Sequence, residues 1–242
     1  MTLLVDNDIV HKLAQLDLLG LATPLLINEY RTLLVLNTLR FKFCPHHPVK
    51  RAKLVKKYSV EVIDRIQTFI DTQVTEIDCE VTNNILLEAI ISSEDDGLDI
   101  GEMQLLQTLI DSGDSSILTG DKRFLRALAK EKCMAVYSEK IERSFVCFEQ
   151  IIIFLINKLG FELVKSRYIS SLGSGLTVDT TLRMCFEGKE LAQADRVLEN
   201  LGTNVGYIRS NTESLLSPSE MWVPQGRYDV GSVSKSSARI VQ

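Results

Sequence analysis

Thr2-Leu3-Leu4-Val5-Asp6-Asn7-Asp8 is the stretch that decides the fold class. Four residues suited to a buried strand lead directly into two acidic side chains and an amide. Apolar residues then recur at helical spacing, at Ile9, Leu13, Leu16 and Leu19. A buried strand followed at once by an amphipathic helix is typical of α/β proteins with a parallel sheet. We therefore expect a strand at 2–5 whose carboxyl end carries acidic groups, and a helix that stops near Gly20.

The same alternation continues to about residue 158. Further strands are predicted at 74–77, 115–119 and 134–137. Helices are predicted over about 9–20, 25–41, 50–71, 78–91, from 101, from 122 and over 144–158. Asp78 and Asp99 are candidate N-caps, and 44–48 is a predicted loop because its two prolines break a helix. The pattern predicts an α/β domain with a central parallel sheet over 1–158.

Strand signals are weak from Gly160 onward. Helices are predicted at roughly 161–170, 178–187 and 190–201, which gives a helical C-terminal extension over 159–223. The segment 224–242 is rich in Gly and Ser and holds few large apolar residues, so we expect a flexible tail. This region contains no motif that points to a function.

Composition places the chain among globular proteins. Its 242 residues are 45% hydrophobic and 24% charged. No apolar run reaches the length of about 18 residues that a transmembrane helix needs, and the N-terminus lacks the features of a signal peptide. Five dispersed cysteines form no CxxC pair, which indicates free thiols in a reducing compartment: Cys44, Cys79, Cys133, Cys147 and Cys185. We expect a cytoplasmic protein that makes no use of a membrane.

The formal net charge of −5 hides two opposed blocks. Residues 30–60 hold eight Lys or Arg and no acidic residue, whereas residues 66–121 hold thirteen Asp or Glu and no basic residue. The mild total therefore does not exclude a nucleic-acid partner, which the basic block would bind through phosphates. A solvated helical face or a docking patch for an acidic protein is the alternative. The candidate nucleic-acid-binding residues of this block are Arg40, Lys42, Lys50, Arg51 and Lys53.

Several acidic residues fall at predicted strand ends or helix starts. Asp6 and Asp8 follow the first strand, Asp99 and Glu102 begin a helix, and Asp121 follows the strand at 115–119. Functional groups gather at the carboxyl ends of parallel strands, where several carboxylates would repel one another unless a cation were bound. Oxygen ligands suit Mg²⁺ or Mn²⁺. Helix N-capping is the structural alternative for Asp8, Asp99 and Asp121 taken singly.

Three short motifs together resemble the PIN (PilT N-terminus) domain family, in the prokaryotic branch that includes the toxin ribonucleases of toxin–antitoxin pairs. They are Leu3-Leu4-Val5-Asp6-Asn7-Asp8, then Leu98-Asp99-Ile100-Gly101-Glu102, then Leu118-Thr119-Gly120-Asp121-Lys122-Arg123-Phe124-Leu125. The resemblance covers about residues 1–158. It implies a three-layer α/β/α domain whose acidic residues bind Mg²⁺ or Mn²⁺ and hydrolyse phosphodiester bonds, usually in RNA.

The resemblance also implies roles for individual residues. Asp6, Glu102 and Asp121 would be catalytic and, together with Asp8 and Asp99, would bind the metal. Apart from the resemblance, Lys122 and Arg123 follow Asp121 closely, so they would contact the phosphate, neutralise the acidic cluster or be exposed helix-start residues. The family usually has a further acidic residue on an early helix, and here that position falls near Thr32. Either Glu29 or Glu80 supplies this group or the site has lost it.

Three functional hypotheses follow. The first is a metal-dependent endoribonuclease that acts on RNA, with an antitoxin or another regulatory protein, or a second copy of the chain, as further partners. The second is a PIN-like module that binds nucleic acid or protein without catalysis. The third is a phosphohydrolase in which Asp6 is the nucleophile and Asp8 the acid/base. His46 and His47 are weak metal-ligand candidates because they lack a third spaced ligand.

Overall fold

A parallel β-sheet forms the centre of the protein. The computed structural model describes residues 1–92, 98–173, 179–187, 191–212 and 214–218. Within these residues the chain forms five strands and thirteen α-helices. The elements up to the third strand are β1 (Thr2–Val5), α1 (Asn7–Gln15), α2 (Leu19–Tyr30), β2 (Thr32–Leu36), α3 (Thr38–Phe43), α4 (Pro48–Tyr58), α5 (Val60–Thr72) and β3 (Thr75–Ile77).

The remaining elements complete the sheet and add a helical C-terminal part. They are α6 (Asn84–Ser92), α7 (Ile100–Ser112), β4 (Ser115–Thr119), α8 (Lys122–Lys130), a 3₁₀ helix (Lys132–Tyr137), α9 (Ser138–Ile141) and β5 (Phe145–Cys147). The last helices are α10 (Phe148–Leu159), α11 (Phe161–Gly173), α12 (Thr180–Cys185) and α13 (Ala194–Asn211).

All five strands run parallel in the order β3-β2-β1-β4-β5. Leu4 of the central strand pairs with Leu34 of β2 on one side and Ile117 of β4 on the other. The strands next to the centre are largely apolar because helices cover both faces of a parallel sheet. The α/β class with a parallel sheet is thereby confirmed. The order of the strands reverses between β1 and β4, which is where such sheets open a crevice at their carboxyl edge.

The predicted strands at 2–5, 74–77 and 115–119 are confirmed as β1, β3 and β4, with β3 one residue shorter. The prediction of one helix over 25–41 is wrong. Arg31 adopts a positive φ of 65° that ends α2, and the chain then enters β2. The predicted strand at 134–137 is a 3₁₀ helix, and the last strand is Phe145–Cys147, inside the predicted helix over 144–158.

Other helix boundaries also differ from the predictions. The first helix ends at Gln15, and Gly20 lies inside α2 and therefore does not end a helix. The basic helix over 50–71 is two helices, α4 and α5, because Ser59 has a φ of 71° and caps the second of them. The helix predicted from Asp78 begins at Asn84, so Asp78 is not its N-cap. The predicted start of α7 is confirmed, because Asp99 caps it through the backbone N–H of Glu102.

One hydrophobic core runs through the described residues and includes the C-terminal helices. Helix α10 packs against α11 and α13, and α13 also contacts α12 and α8. Leu216 forms a parallel bridge with Phe145 beside β5. The helices predicted at 161–170, 178–187 and 190–201 correspond to α11, α12 and α13. The division into 1–158 and 159–223 stays a prediction, and the predicted tail over 224–242 lies outside the described residues.

The five cysteines are free thiols, and Cys147 and Cys185 are buried. Among the described helices, none combines the length and the apolar character needed to cross a membrane.

Candidate functional site

A small polar pocket lies at the carboxyl edge of the sheet, where β1, β2 and β4 end and α7 begins. Its volume is about 160 Å³. All five acidic residues that the motifs single out line it, together with Leu36, Gly101, Asn7 and Lys42. The five are Asp6, Asp8, Asp99, Glu102 and Asp121. Carboxylates from the end of β1, the end of β4 and the start of α7 therefore converge on one pocket.

Asp6 links the ends of the two central strands. It is the N-cap of α1, and its Oδ2 accepts a hydrogen bond from Thr119 Oγ1 at 3.0 Å. Thr119 Oγ1 in turn accepts from the backbone N–H of Asp121 at 3.1 Å. Burial and the neighbouring charge of Asp8 raise the pKa of Asp6 to about 6, against the hydrogen bond from Thr119. This carboxyl group is thus partly protonated near neutral pH.

Glu102 is a buried carboxyl group whose fixed position comes from a capping box. Its Oε2 accepts from the backbone N–H of Asp99 at 3.0 Å, and Asp99 Oδ1 accepts from the backbone N–H of Glu102 at 2.9 Å. The side chain is only 8% exposed. Burial raises the pKa of Glu102 to about 8, and the charges of Asp99, Asp121 and Asp6 act in the same direction.

Asp121 is held by hydrogen bonds that favour its ionised form. It caps α8 by accepting from the backbone N–H groups of Arg123 and Phe124, and its Oδ2 lies 3.0 Å from Arg123 Nη2. Burial opposes ionisation, but these hydrogen bonds outweigh it and lower the pKa of Asp121. N-capping, the alternative considered for Asp8, Asp99 and Asp121, occurs at the last two without removing either from the pocket, whereas Asp6 and not Asp8 caps α1.

Asp8 occupies the border of the pocket in an ion pair. Lys12 Nζ lies 2.8 Å from Asp8 Oδ2 and 3.0 Å from Asp179 Oδ2, which belongs to the N-cap of α12. Burial disfavours the charge on Lys12, but the two carboxylates outweigh it and raise its pKa. Gly120 permits this arrangement, because a Cβ there would lie 2.8 Å from Lys12 Nζ and closer still to Asp8 Oδ2.

The predicted phosphate-binding residues occupy different positions. Lys42 on α3 lines the acidic pocket. Lys50, Arg51 and Lys53 are exposed on α4, where no residue is buried. Arg40 is instead held in ion pairs at 2.8 Å with both Asp71 and Glu76.

Lys122 and Arg123, the two basic residues after Asp121, also lie in different environments. Arg123 is exposed beside Asp121, as the motif suggested. Lys122 turns inward, where its Nζ contacts the buried carboxylate of Glu149 and donates to Thr181 Oγ1 at 2.7 Å. Lys122 is therefore a structural ion-pair partner and does not line the pocket.

Neither candidate for the early-helix carboxylate lies at the pocket. Glu29 pairs with Lys158 at 3.1 Å, near the end of α2 that leads into the amino end of β2. Glu80 is exposed and does not line the pocket. The helix that follows β2 is α3, and its contribution is Lys42. His47 caps α4 through Nδ1, which accepts from the backbone N–H of Val49 at 3.2 Å.

The pocket would suit a hard cation that keeps several waters, rather than a cation enclosed entirely by protein ligands. Among the described residues, no group of three or more His, Cys, Asp or Glu side chains is arranged to hold a metal ion. The donors that line the pocket are carboxylate oxygens, the ligand type that Mg²⁺ and Mn²⁺ prefer. Mg²⁺ usually retains several waters and binds only one or two carboxylates, so two of Asp6, Glu102 and Asp121 would be enough to hold it.

Three residues that support the site were not singled out from the sequence as candidates. Thr119 lies within the quoted motif and could have been found there. Lys12 lies one helical turn after Asp8, which is a weak signal because such pairs are common on helices. Asp179 carries no signal, since only the fold brings α12 beside α1.

These features define an α/β protein with an acidic pocket at the switch point of a parallel sheet. Comparisons with protein-family models, with curated proteins and with solved structures found no match, so the fold and the pocket carry the functional argument.

Proposed function

We propose that this protein is a metal-dependent endoribonuclease of the PIN type that hydrolyses phosphodiester bonds at the acidic pocket. The observation that carries the proposal is the convergence of five carboxylates on one small pocket at the carboxyl edge of the sheet. Burial raises the pKa values of Asp6 and Glu102, and the charges of neighbouring carboxylates act in the same direction. A bound cation would remove the repulsion between the carboxylates.

Asp6, Glu102 and Asp121 are the residues proposed to hold Mg²⁺ or Mn²⁺, with Asp8 and Asp99 beside them. When bound, the ion would lower the pKa of a water and stabilise charge on a phosphoryl oxygen. Glu102, with a pKa of about 8, is suited to exchange a proton with water near neutral pH. The ammonium group of Lys42 would attract the phosphate to the same pocket.

RNA as the substrate rests on the three motifs and on the basic surface. Lys50, Arg51 and Lys53 on the exposed α4 are proposed to bind the phosphate backbone, as is Arg123 beside Asp121. The same helix would offer a docking patch to an acidic antitoxin or another regulatory protein. A three-layer arrangement of PIN type, a cytoplasmic location and self-association belong to this proposal.

Cleavage of single-stranded RNA by the purified chain tests the proposal. Cleavage should require Mg²⁺ or Mn²⁺, stop with EDTA, and fall about a hundredfold or more in Asp6→Asn. Asp111→Asn is the matched control, because Asp111 is exposed near the far end of α7 and should leave the rate unchanged. Cleavage that resists EDTA and survives Asp6→Asn would contradict the proposal.

A non-catalytic nucleic-acid or protein interaction module is the second candidate. Lys42 favours it, because this cation occupies the pocket where a further carboxylate would strengthen metal binding. RNA binding without detectable Mg²⁺ or Mn²⁺ binding in calorimetry would support this alternative. Phosphoaspartyl chemistry is less favoured, because Lys12 holds the Asp8 carboxylate that would act as acid/base. A phosphatase assay would detect it.

A further inference from the structure

A second cavity lies beside the acidic pocket and shares Asp8 with it. Its volume is about 420 Å³, within the range of small-molecule sites. Side chains from three parts of the chain line it. His11 and Lys12 come from α1, Lys57 and Tyr58 from the end of α4, and Asp179 from the start of α12.

We propose that this cavity binds one nucleotide of a single-stranded nucleic acid, next to the phosphodiester that the acidic pocket holds. The inference rests on the proposed function for the identity of the neighbouring pocket. It adds a recognition site that uses α4 and α12, neither of which contributes to the acidic pocket.

Aromatic side chains form one wall of the cavity. The ring of His11 lies 5.5 Å from that of Phe43 in a stacked arrangement and 4.5 Å from Tyr58 in an edge arrangement. His11 and Tyr58 are half-buried beside a basic surface, and such rings are a usual contact for the bases of single strands. His11 Nε2 is buried and has no hydrogen-bond partner in the described part of the chain.

The charges suit a nucleotide with its base inside and its phosphates at the rim. Lys12 is neutralised by Asp8 and Asp179, whose oxygens would accept from the amino groups of a base. Lys57 Nζ lies 4.7 Å from the centre of the Tyr58 ring, and Lys42 Nζ lies 5.5 Å from the centre of the Phe43 ring. Within the described residues neither ammonium group is paired with a carboxylate, so both remain available to backbone phosphates.

The cavity lies next to the acidic pocket, which supports its proposed role in binding the same nucleic-acid strand. Asp8 borders both spaces, so a strand whose phosphate lies at Asp6 and Glu102 would continue past Asp8 toward Tyr58. Asp179 and Thr180 also line the cavity, and they belong to the C-terminal part of the chain that the motif resemblance does not cover. The C-terminal helices would thereby complete the substrate site.

Binding of a fluorescent single-stranded RNA to the full chain in EDTA tests the inference without any cleavage. Lys57→Ala should weaken binding about tenfold, and clearly more than Lys56→Ala, because both residues are exposed on α4 but only Lys57 lines the cavity. A series of RNAs, each with one abasic nucleotide, should show weakened binding at one position. Tyr58→Ala should abolish that positional effect, whereas Tyr207→Ala, on an exposed aromatic of α13, should retain it.

The outcomes separate this inference from the proposed function. Equal losses in Lys57→Ala and Lys56→Ala, with an unchanged abasic profile in Tyr58→Ala, would overturn the cavity assignment even if metal-dependent cleavage were observed. Absence of RNA binding by the unmodified chain would overturn it as well. The cleavage assay that compares the unmodified chain with Asp6→Asn tests the acidic pocket separately from the cavity. Because Tyr58 packs against His11, the thermal unfolding of each variant is measured, and the two lysine variants provide a test that leaves these rings intact.

Discussion

Glu102 carries a carboxyl group that the fold keeps protonated to unusually high pH. Its pKa rises from 4.5 to about 8, and that of Asp6 from 3.8 to about 6. Because the folded state binds these protons more tightly than the unfolded chain, the stability they provide is complete below about pH 4 and is lost as the pH rises toward 8. Without metal, we expect the free energy of unfolding to fall by about 2–5 kcal/mol between about pH 5 and pH 8.

Denaturant unfolding in EDTA across this pH range measures the effect. Glu102→Gln should remove most of the decrease and be more stable than the unmodified chain at pH 8, since it cannot ionise. Glu162→Gln is the matched control, because the Glu162 side chain is 82% exposed. A free energy of unfolding that is constant or rises with pH would show that these carboxyl groups are not perturbed by burial.

The close contacts around Gly120 lead to a second prediction, which concerns stability. A methyl group there would collide with the ends of Asp8 and Lys12, so Gly120→Ala should displace their ion pair and destabilise the protein by about 1 kcal/mol. Gly202→Ala in α13, where nothing lies within 4 Å of the added Cβ, should instead stabilise it by about 0.5–1 kcal/mol. Chemical denaturation of both variants provides the comparison. Equal effects would mean that the close approach at Gly120 is not tight.

Among the elements, β1, β3 and β4 could be predicted from sequence, whereas β2 and β5 could not. β1 and β4 are short apolar runs that end at turn-forming or acidic residues. β2 was not predicted, because its apolar residues continue the helical spacing of α2. The break between the two elements depends on a positive φ at Arg31. β5 has only three residues and merges with the apolar start of α10. Buried strands and buried helices look alike when both lack a polar face.

For the site, the acidic residues could be predicted because each stands at the end of a strand or the start of a helix. The ion pairs of Arg40 and Lys122 could not be predicted, because their partners Glu76 and Glu149 lie on elements that meet only after folding. The cavity between α1, α4 and α12 could not be predicted for the same reason.

Lys122 joins three helices through one ammonium group. It contacts Glu149 at the start of α10 and Thr181 on α12, and Glu149 is only 1% exposed. Lys122→Met should leave a buried carboxylate without its cation and destabilise the protein by about 3 kcal/mol. Adding Glu149→Gln to Lys122→Met should recover much of this loss. Denaturant unfolding of the single and double variants forms the test, and strictly additive losses would show that the two residues are not coupled.

At the scale of the whole molecule, the mild net charge reflects opposed blocks that partly neutralise each other. Arg40 from the basic block pairs with Asp71 and Glu76 from the acidic block. The exposed residues of α4 and the carboxylates of the pocket remain outside these pairs. A nuclease needs such a division, because the phosphate backbone and a metal ion require charges of opposite sign.

The short pairing beyond α13 has a consequence for how the protein behaves among its own copies. β5 is an edge strand, and the backbone of Phe145 donates to Leu215 O at 3.0 Å and accepts from Ser217 N at 2.7 Å. An uncovered edge would offer these groups to any other extended chain and favour aggregation. By folding its own later residues over the edge, the chain leaves no template there for intermolecular β-sheet growth.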